Sequence, residues 1–133
     1  MGHLILDSLF MTQKQIDFFY RELILEHWEN PQNYGVIENA DFDVTEFNPL
    51  CGDEIRLTGK ITTGKLSEVN FIGEGCAISK ASASLFTEKI KGMSVEEIKN
   101  LTPEDALFEM RITLTPARTK CALLIFQAIH QVR

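Results

Sequence analysis

The spacing of hydrophobic residues changes twice along the chain, from a helical period to a strand period and back again. In residues 13–29 the hydrophobic positions recur every three or four residues, the period of a helix that buries one face. They are Ile16, Phe19, Tyr20, Leu23 and Ile24. Because Asn30 and Pro31 follow directly, we predict that this first helix ends at Glu29.

The middle of the chain has the pattern of β-strands. Residues 42–47, 54–61 and 66–72 are short segments in which hydrophobic and polar residues alternate. The last two are joined by the sequence TTGK, which is typical of a hairpin turn. Since short links connect antiparallel neighbours, we predict an antiparallel meander of three strands.

Helical spacing returns in the second half. Residues 77–91 form an Ala- and Ser-rich segment with one hydrophobic face, and Gly92 is a typical helix stop. We interpret the sequence TLTPAR, residues 113–118, as a break. A final helix is predicted over residues 119–131.

Two shorter helices are predicted from their capping residues. Ser94 and Glu97 have the spacing of a capping box, in which each side chain accepts a backbone N–H of the other residue. Thr102 is a second cap, with Pro103 at the first helical position. The order of elements predicts an α+β fold, a three-stranded antiparallel sheet packed against several helices.

The length and the absence of a repeat or linker favour a single domain over residues 1–133, in which residues 1–12 are expected to be a flexible extension. Lys and Arg number 13 and Asp and Glu 19, so the net charge is −6. The basic residues are scattered, which argues against nucleic-acid binding. No hydrophobic run has the length of a membrane span, and the N-terminus lacks the features of a signal peptide. Three cysteines cannot all pair with one another, so we expect reduced thiols and a cytoplasmic protein.

The three cysteines lie at the ends of predicted elements. Cys51 lies in the turn between the first two strands, two residues before Asp53. Cys76 directly precedes the long Ala- and Ser-rich helix, and Cys121 falls in the first turn of the predicted final helix. Helix starts favour a thiolate, so the placement indicates a metal or sulfur site. The alternative is that these are ordinary core cysteines, and the C-x-x-C pair of a zinc ribbon is absent.

A cysteine hydrolase is poorly supported by the histidines. A cysteine nucleophile needs a base, usually a histidine, close to the thiol. His130 lies about 13 Å along a helix from Cys121, at about 1.5 Å per residue. His27 falls on the hydrophobic face of the first helix, where a packing role is expected, and His3 is close to the N-terminus.

Four blocks of sequence together carry a resemblance to a known family. Three surround the cysteines: NPLCGD, GEGCAISKASAS and TKCALL. The fourth, YRELILEHWENPQNYG, occupies residues 20–35. In this order they resemble the iron–sulfur cluster assembly scaffolds of the IscU type, the NifU N-terminal family, and the match extends from about residue 20 to the C-terminus.

The resemblance implies a fold and a function. The fold is the three-stranded sheet with packed helices, and Cys51, Asp53, Cys76 and Cys121 converge at one exposed end. These four residues would hold a transient [2Fe–2S] cluster, or zinc when no cluster is present. The three cysteines are candidate persulfide acceptors for sulfur from a cysteine desulfurase, and the cluster passes to recipient apo iron–sulfur proteins. Such a protein is a scaffold or sulfur carrier rather than a typical enzyme.

Asp53 is the distinctive member of this set. Thiolates bind iron and zinc well, whereas a carboxylate is a harder ligand. A mixed site should therefore release its cargo more easily than a site of four thiolates.

Other positions depart from the better-known branch of the family. Lys120 stands where histidine is common, and residues 114–118 read LTPAR instead of LPPVK, which argues against docking of the dedicated Hsp70-type chaperone. Lys120, Arg118 and the CAISKASAS block resemble the SUF-associated branch, although its usual insertion between Cys76 and Cys121 is missing. The alternative function is thus a zinc-dependent persulfide relay of a SUF-type pathway. A structural zinc module for protein contact is the third hypothesis.

Accessory residues have two interpretations each. Lys120 and Arg118 could steady the charge of a persulfide or cluster, or be plain solvated surface. Gly73 and Gly75 could allow close backbone approach beside the cysteine, or simply form a turn. For Tyr20 core packing is expected ahead of partner contact.

Overall fold

The structure is a computed structural model that describes residues 12–50, 52–111 and 114–132. Cys51 lies outside the described residues, and so does the expected extension 1–12 except for its last residue.

The described elements confirm the α+β class, with three antiparallel strands and helices packed on them. In chain order they are helix α1 (Gln13–Glu29), strands β1 (Phe42–Asn48), β2 (Asp53–Thr62) and β3 (Lys65–Glu74), and helices α2 (Ala77–Ile90), α3 (Val95–Lys99), α4 (Pro103–Phe108), α5 (Pro116–Ala122) and α6 (Leu124–Ile129). No helix in the described part of the chain is both long and apolar enough to cross a membrane.

Helix α1 has the predicted bounds because both of its ends carry local signals. Thr12 accepts the N–H of Gln15 at 3.1 Å, and the Gln15 side chain accepts the N–H of Thr12 at 2.8 Å. This reciprocal pair fixes the start of the helix. At the other end Asn30 is the C-cap residue.

The sheet has the order β1-β2-β3, and both pairings are antiparallel. The predicted hairpin is confirmed: Thr63 and Gly64 join β2 to β3 and both have a positive φ. The strands run slightly beyond the predicted ends, since the ladder continues to the pairs Asn48–Asp53 and Glu54–Glu74. This extension makes Asp53 the first residue of β2.

One face of the sheet forms the core with helices α2 and α6. Leu57 and Phe71 of the sheet are fully buried, as are Phe86 of α2 and Ile125 of α6. A smaller hydrophobic cluster joins α1 to α2 through Ile24 of α1 and Ala81 of α2. It also includes Met110, which follows α4, and Ala122 of α5. Tyr20 is also buried, in agreement with the predicted packing role.

Helix α2 is unusual because it buries hydroxyl groups as well as hydrophobic side chains. The Ser84 hydroxyl oxygen accepts the N–H of Gln32 at 2.8 Å, and Thr87 donates to the carbonyl of Ala83 at 2.8 Å. Among the described residues no buried side-chain N or O atom lacks a hydrogen-bond partner. These bonds let a Ser-rich helix occupy the centre of the molecule.

The prediction for the last helix is wrong at its start. The helical segment begins at Pro116, with Thr115 as N-cap residue, so residues 116–118 are helical rather than a break. Thr115 accepts the N–H of Arg118 at 3.3 Å. An irregularity at Leu123 separates α5 from α6, but its N–H still donates to the carbonyl of Thr119 at 3.0 Å.

Candidate metal site

Three side chains with metal-binding atoms meet at one end of the sheet. Asp53 is the first residue of β2, Cys76 is the N-cap residue of α2, and Cys121 lies in α5. Their ligand atoms all lie within 4.8 Å of one another. The structure therefore brings together three of the four residues named from the sequence, and Cys51 lies outside the described residues.

The Asp53 carboxylate is buried, with 1% of the residue exposed, and it lies against the start of α2. Its Oδ1 accepts the backbone N–H of Cys76 at 2.9 Å. Its Oδ2 lies 3.6 Å from the Cys76 Sγ. One oxygen thus fixes the backbone at the helix start, while the other faces the thiol.

Cys76 occupies the position of a helix cap, yet its thiol makes no capping hydrogen bond. The Sγ lies instead near the Asp53 carboxylate and 3.9 Å from the Ser79 hydroxyl oxygen. Ser79 is buried and donates its hydroxyl to the carbonyl of Cys76 at 3.1 Å. The backbone of Cys76 is therefore held from both sides, by Asp53 at its N–H and by Ser79 at its carbonyl.

Cys121 lies in the last turn of α5, not in the first turn of a helix as predicted. The error follows from the earlier helix start at Pro116. The helix-start argument for a thiolate consequently applies to Cys76 and fails for Cys121. Cys121 is also buried, with 3% of its surface exposed.

A hydrogen bond between helices α2 and α5 fixes the position of α5 along α2. The buried Ser82 of α2 donates its hydroxyl to the carbonyl of Ala122 at 2.7 Å. Ala122 directly follows Cys121, so this bond fixes the backbone that carries the second thiol.

A cleft of about 320 Å³ opens beside Cys121. Its lining consists of Asn48, Leu50, Ala117, Arg118, Lys120 and Cys121. Arg118 and Lys120 are exposed, and neither makes an ion pair with any residue of the described ranges. Leu50 in this lining is 75% exposed, and Phe47, which precedes Asn48 on β1, is 56% exposed. The end of the sheet is thus exposed at its rim, whereas Asp53 and Cys121 are buried within it.

The histidines are used elsewhere in the structure. The Nδ1 of His27 lies 2.7 Å from the Ser84 hydroxyl oxygen, and the Nε2 of His130 lies 3.2 Å from the carbonyl of Leu101. His3 lies outside the described residues. These contacts agree with the prediction that His27 has a packing role.

The donor set fits a thiophilic metal. Two thiols and a carboxylate are groups that zinc accepts. Zinc–sulfur bonds of about 2.3 Å in a tetrahedron put neighbouring donors about 3.8 Å apart. From the observed limit of 4.8 Å, closure onto one ion takes side-chain movements of about 1 Å or less.

Ser79 and Ser82 were not identified as site residues from the sequence. Both belong to the SKASAS segment, whose high serine content inside a helical pattern was the available signal. Serine is a poor residue for a buried helix face unless each hydroxyl has an acceptor. The acceptors here are the carbonyl of Cys76 and the carbonyl of Ala122, and the second lies 40 positions away along the chain, where periodicity does not reveal it.

The fold and this thiol–carboxylate site define the class of the protein, a small α+β domain with a candidate metal site at one end of its sheet. The family model described as the NifU-like N-terminal domain matches residues 19–132, and the chain belongs to that family.

Two similar proteins agree with this assignment. The chain is 35% identical to the zinc-dependent sulfurtransferase SufU of Bacillus subtilis (strain 168), over 87% of this chain and 90% of that protein. It is 34% identical to the iron-sulfur cluster assembly scaffold protein IscU of Escherichia coli (strain K12), over 83% of this chain and 88% of that protein.

A solved structure has the same fold. It is the crystal structure of a candidate iron-sulfur cluster assembly scaffold protein for the SUF system (FiSufU) from Fervidobacterium islandicum AW-1. The TM-score is 0.71 with 28% sequence identity, over 83% of this chain and 93% of that one.

Proposed function

We propose that this protein is an iron–sulfur cluster assembly scaffold that accepts sulfur from a cysteine desulfurase, holds a labile [2Fe–2S] cluster or zinc, and passes the cluster to recipient proteins. One observation carries the proposal: two thiols and a buried carboxylate lie within 4.8 Å of one another in a member of the NifU-like N-terminal family. Cys51 is the fourth proposed ligand, beside Asp53, Cys76 and Cys121.

The chemistry of sulfur acceptance suits these thiols. A thiolate of this chain attacks the terminal sulfur of the desulfurase persulfide and forms a new S–S bond. The S–S bond of the donor breaks, and its electron pair leaves with the desulfurase cysteine. Cys51, Cys76 and Cys121 are the candidate acceptors. No histidine is expected to act as a base, so the reaction begins on the desulfurase.

The mixed donor set suits temporary storage. Thiolates are strong ligands for iron and zinc, and the Asp53 carboxylate is the weaker, harder ligand. Its Oδ1 accepts the Cys76 N–H, and its Oδ2 lies 3.6 Å from the Cys76 Sγ, on the side where a metal would be shared with that thiolate. A site with one weak ligand holds its cargo and still releases it.

A second function is a zinc-dependent persulfide relay of a SUF-type pathway. The observation that favours it is the 35% identity with a protein named as a zinc-dependent sulfurtransferase. The two exposed cations at the cleft, Arg118 and Lys120, are equally compatible with a persulfide and with a cluster. In the relay the metal stays and only sulfur moves.

We propose a cysteine desulfurase and recipient apo iron–sulfur proteins as partners, and the cytoplasm as the location. The charge of −6 supports neither nucleic acid nor an acidic membrane surface as a partner. The LTPAR sequence at 114–118 argues against docking of the dedicated chaperone.

Anaerobic reconstitution tests the proposal. The full chain is incubated with a cysteine desulfurase, cysteine, ferrous iron and a reductant, and iron and sulfide per chain are measured with the visible absorption. A scaffold forms a [2Fe–2S] chromophore and loses it to an added apo-ferredoxin. A parallel reaction without iron or reductant detects persulfide, and persulfide on the chain there with no cluster in the complete mixture would favour the relay. The absence of both would favour the structural zinc module.

A further inference from the structure

Gly75 lies at the junction of β3 and α2, directly before Cys76, in a conformation that side chains rarely adopt. Its φ is +149°. A Cβ built on Gly75 would lie 2.6 Å from the Asp53 Cγ and 2.9 Å from the Asp53 Cβ, and it would overlap Oδ1. The space that a side chain at position 75 needs is therefore filled by the Asp53 carboxylate.

None of the other described glycines with a positive φ would collide in this way, and an added Cβ at Gly35 would make only an ordinary contact of 3.6 Å. Around Gly52, Gly64 and Gly92 an added Cβ would meet nothing within 4 Å. Their φ values of +75°, +77° and +89° explain the choice of glycine by backbone conformation alone. At Gly75 the backbone explanation is incomplete, because the collision is specific to the buried carboxylate.

The contacts of Asp53 depend on that space. Its Oδ1 reaches the N–H of Cys76, and its Oδ2 lies beside the Cys76 Sγ, only because the carboxylate lies over the bare Cα of Gly75. Asp53 is anchored on β2, where its neighbour Glu54 pairs with Glu74 of β3. The Asp53 backbone therefore cannot move away from Gly75 without breaking pairing between β2 and β3. A side chain at position 75 would instead rotate the Asp53 carboxylate away from the thiols.

We propose that Gly75 is a positioning residue of the metal site, which sets Asp53 between the backbone amide and the thiol of Cys76. The inference rests on the proposed function, since Asp53 is the labile ligand there. Replacement of Gly75 by alanine removes the carboxylate from the donor set without changing any ligand. Gly75→Ala thus resembles Asp53→Ala in its metal chemistry.

Backbone strain must be separated from the collision. Alanine at a positive φ costs stability wherever it is introduced. Gly92→Ala is the first control, because it adds a methyl group at positive φ into open space. The double variant Asp53→Ala/Gly75→Ala is the second control, since it keeps the strain at position 75 but removes the atoms that would collide.

The experiment compares the full-length parent, Gly75→Ala, Asp53→Ala, the double variant and Gly92→Ala. Two readouts are used: the visible spectrum and zinc affinity of the cobalt- or zinc-loaded protein, and hydrogen exchange of the Cys76 amide in the metal-free protein. We expect Gly75→Ala and Asp53→Ala to share an altered cobalt spectrum and a zinc affinity about 10–100-fold lower than that of the parent. Both should lose about tenfold or more of the protection of the Cys76 amide.

The double variant should show no further loss beyond Asp53→Ala, and Gly92→Ala should match the parent. A parental spectrum, zinc affinity and amide protection in Gly75→Ala would overturn the inference. If Gly75→Ala fails to fold, rescue of folding in the double variant supports the proposal, and an unfolded double variant contradicts it. The amide readout needs no metal, so a parent that binds neither zinc nor cobalt would refute the proposed function and leave this inference testable.

Discussion

Replacement of Asp53 by alanine should destabilise the metal-free protein but lengthen the lifetime of an assembled [2Fe–2S] cluster. In the metal-free protein the substitution removes the acceptor of the Cys76 N–H, an interaction of 2.9 Å with a buried carboxylate. In the loaded protein it removes the weakest ligand from a set of thiolates. We expect lower stability of the metal-free protein, weaker binding of zinc, which has one ligand fewer, and slower loss of an assembled [2Fe–2S] cluster, which the thiolates retain.

The stability loss can be worked from one hydrogen bond. A hydrogen bond to a charged group contributes about 1.5–3 kcal/mol, and loss of its acceptor leaves the part-buried Cys76 amide without this partner. A loss of about 2 kcal/mol lowers Tm by roughly 6–8 °C in a domain of this size. Asp53→Asn keeps an oxygen that can accept the same N–H, so its Tm should stay within about 3 °C of the parent.

Thermal unfolding of the metal-free, reduced protein and the decay of the reconstituted cluster chromophore are the two assays. Asp43→Ala is the control, because it also removes a carboxylate, but one that is half-exposed and bonded to Arg56 at 2.7 Å. The reasoning is refuted if the Asp53→Ala cluster decays or transfers at the parental rate. It is equally refuted if metal-free Asp53→Ala unfolds at the parental temperature.

Three further outcomes follow from other contacts. Cys76→Ser should lose most of the zinc found by elemental analysis, and full occupancy would remove Cys76 from the ligand set. Ser82→Ala should cost about 1–2 kcal/mol in denaturant unfolding, because it breaks the bond between α2 and α5, whereas the exposed Ser67→Ala should cost much less. Arg56 lowers the pKa of Asp43 through a side-chain hydrogen bond, so this pair adds stability above the unfolded pKa of Asp43 and loses it as the pH falls through the lower folded pKa. The stability difference between the parent and Arg56→Gln should therefore shrink as the pH falls below the ordinary Asp pKa of 3.8, and a difference that grows would contradict it.

The parts of the fold that were predictable from the sequence are those set by neighbouring residues. The reciprocal bonds of Ser94 and Glu97 and the hairpin at Thr63 and Gly64 are local, so the pattern located them. The start of the last helical segment was also local but was misinterpreted. Thr115 and Pro116 have the same cap-and-proline order that correctly predicted the helix at Thr102 and Pro103.

The geometry of the site depends on contacts across long sequence separations. The bond from Cys76 to Asp53 spans 23 positions, and that from Ser82 to Ala122 spans 40. The residue types indicated a thiol and carboxylate site, and the resemblance implied its members. Neither revealed that a buried serine holds the backbone beside Cys121, or that Gly75 provides the space for the carboxylate.

The transfer of sulfur from a cysteine desulfurase to this chain tests the central claim most directly. The full-length protein, in zinc-loaded and metal-free forms, is mixed with a cysteine desulfurase and cysteine that carries radioactive sulfur, without added reductant. We predict that label appears on a cysteine of this chain, or that desulfurase turnover rises, because the site receives chemistry that begins elsewhere. If neither form takes up label or stimulates the enzyme, the claim is contradicted and a structural zinc module becomes the better account.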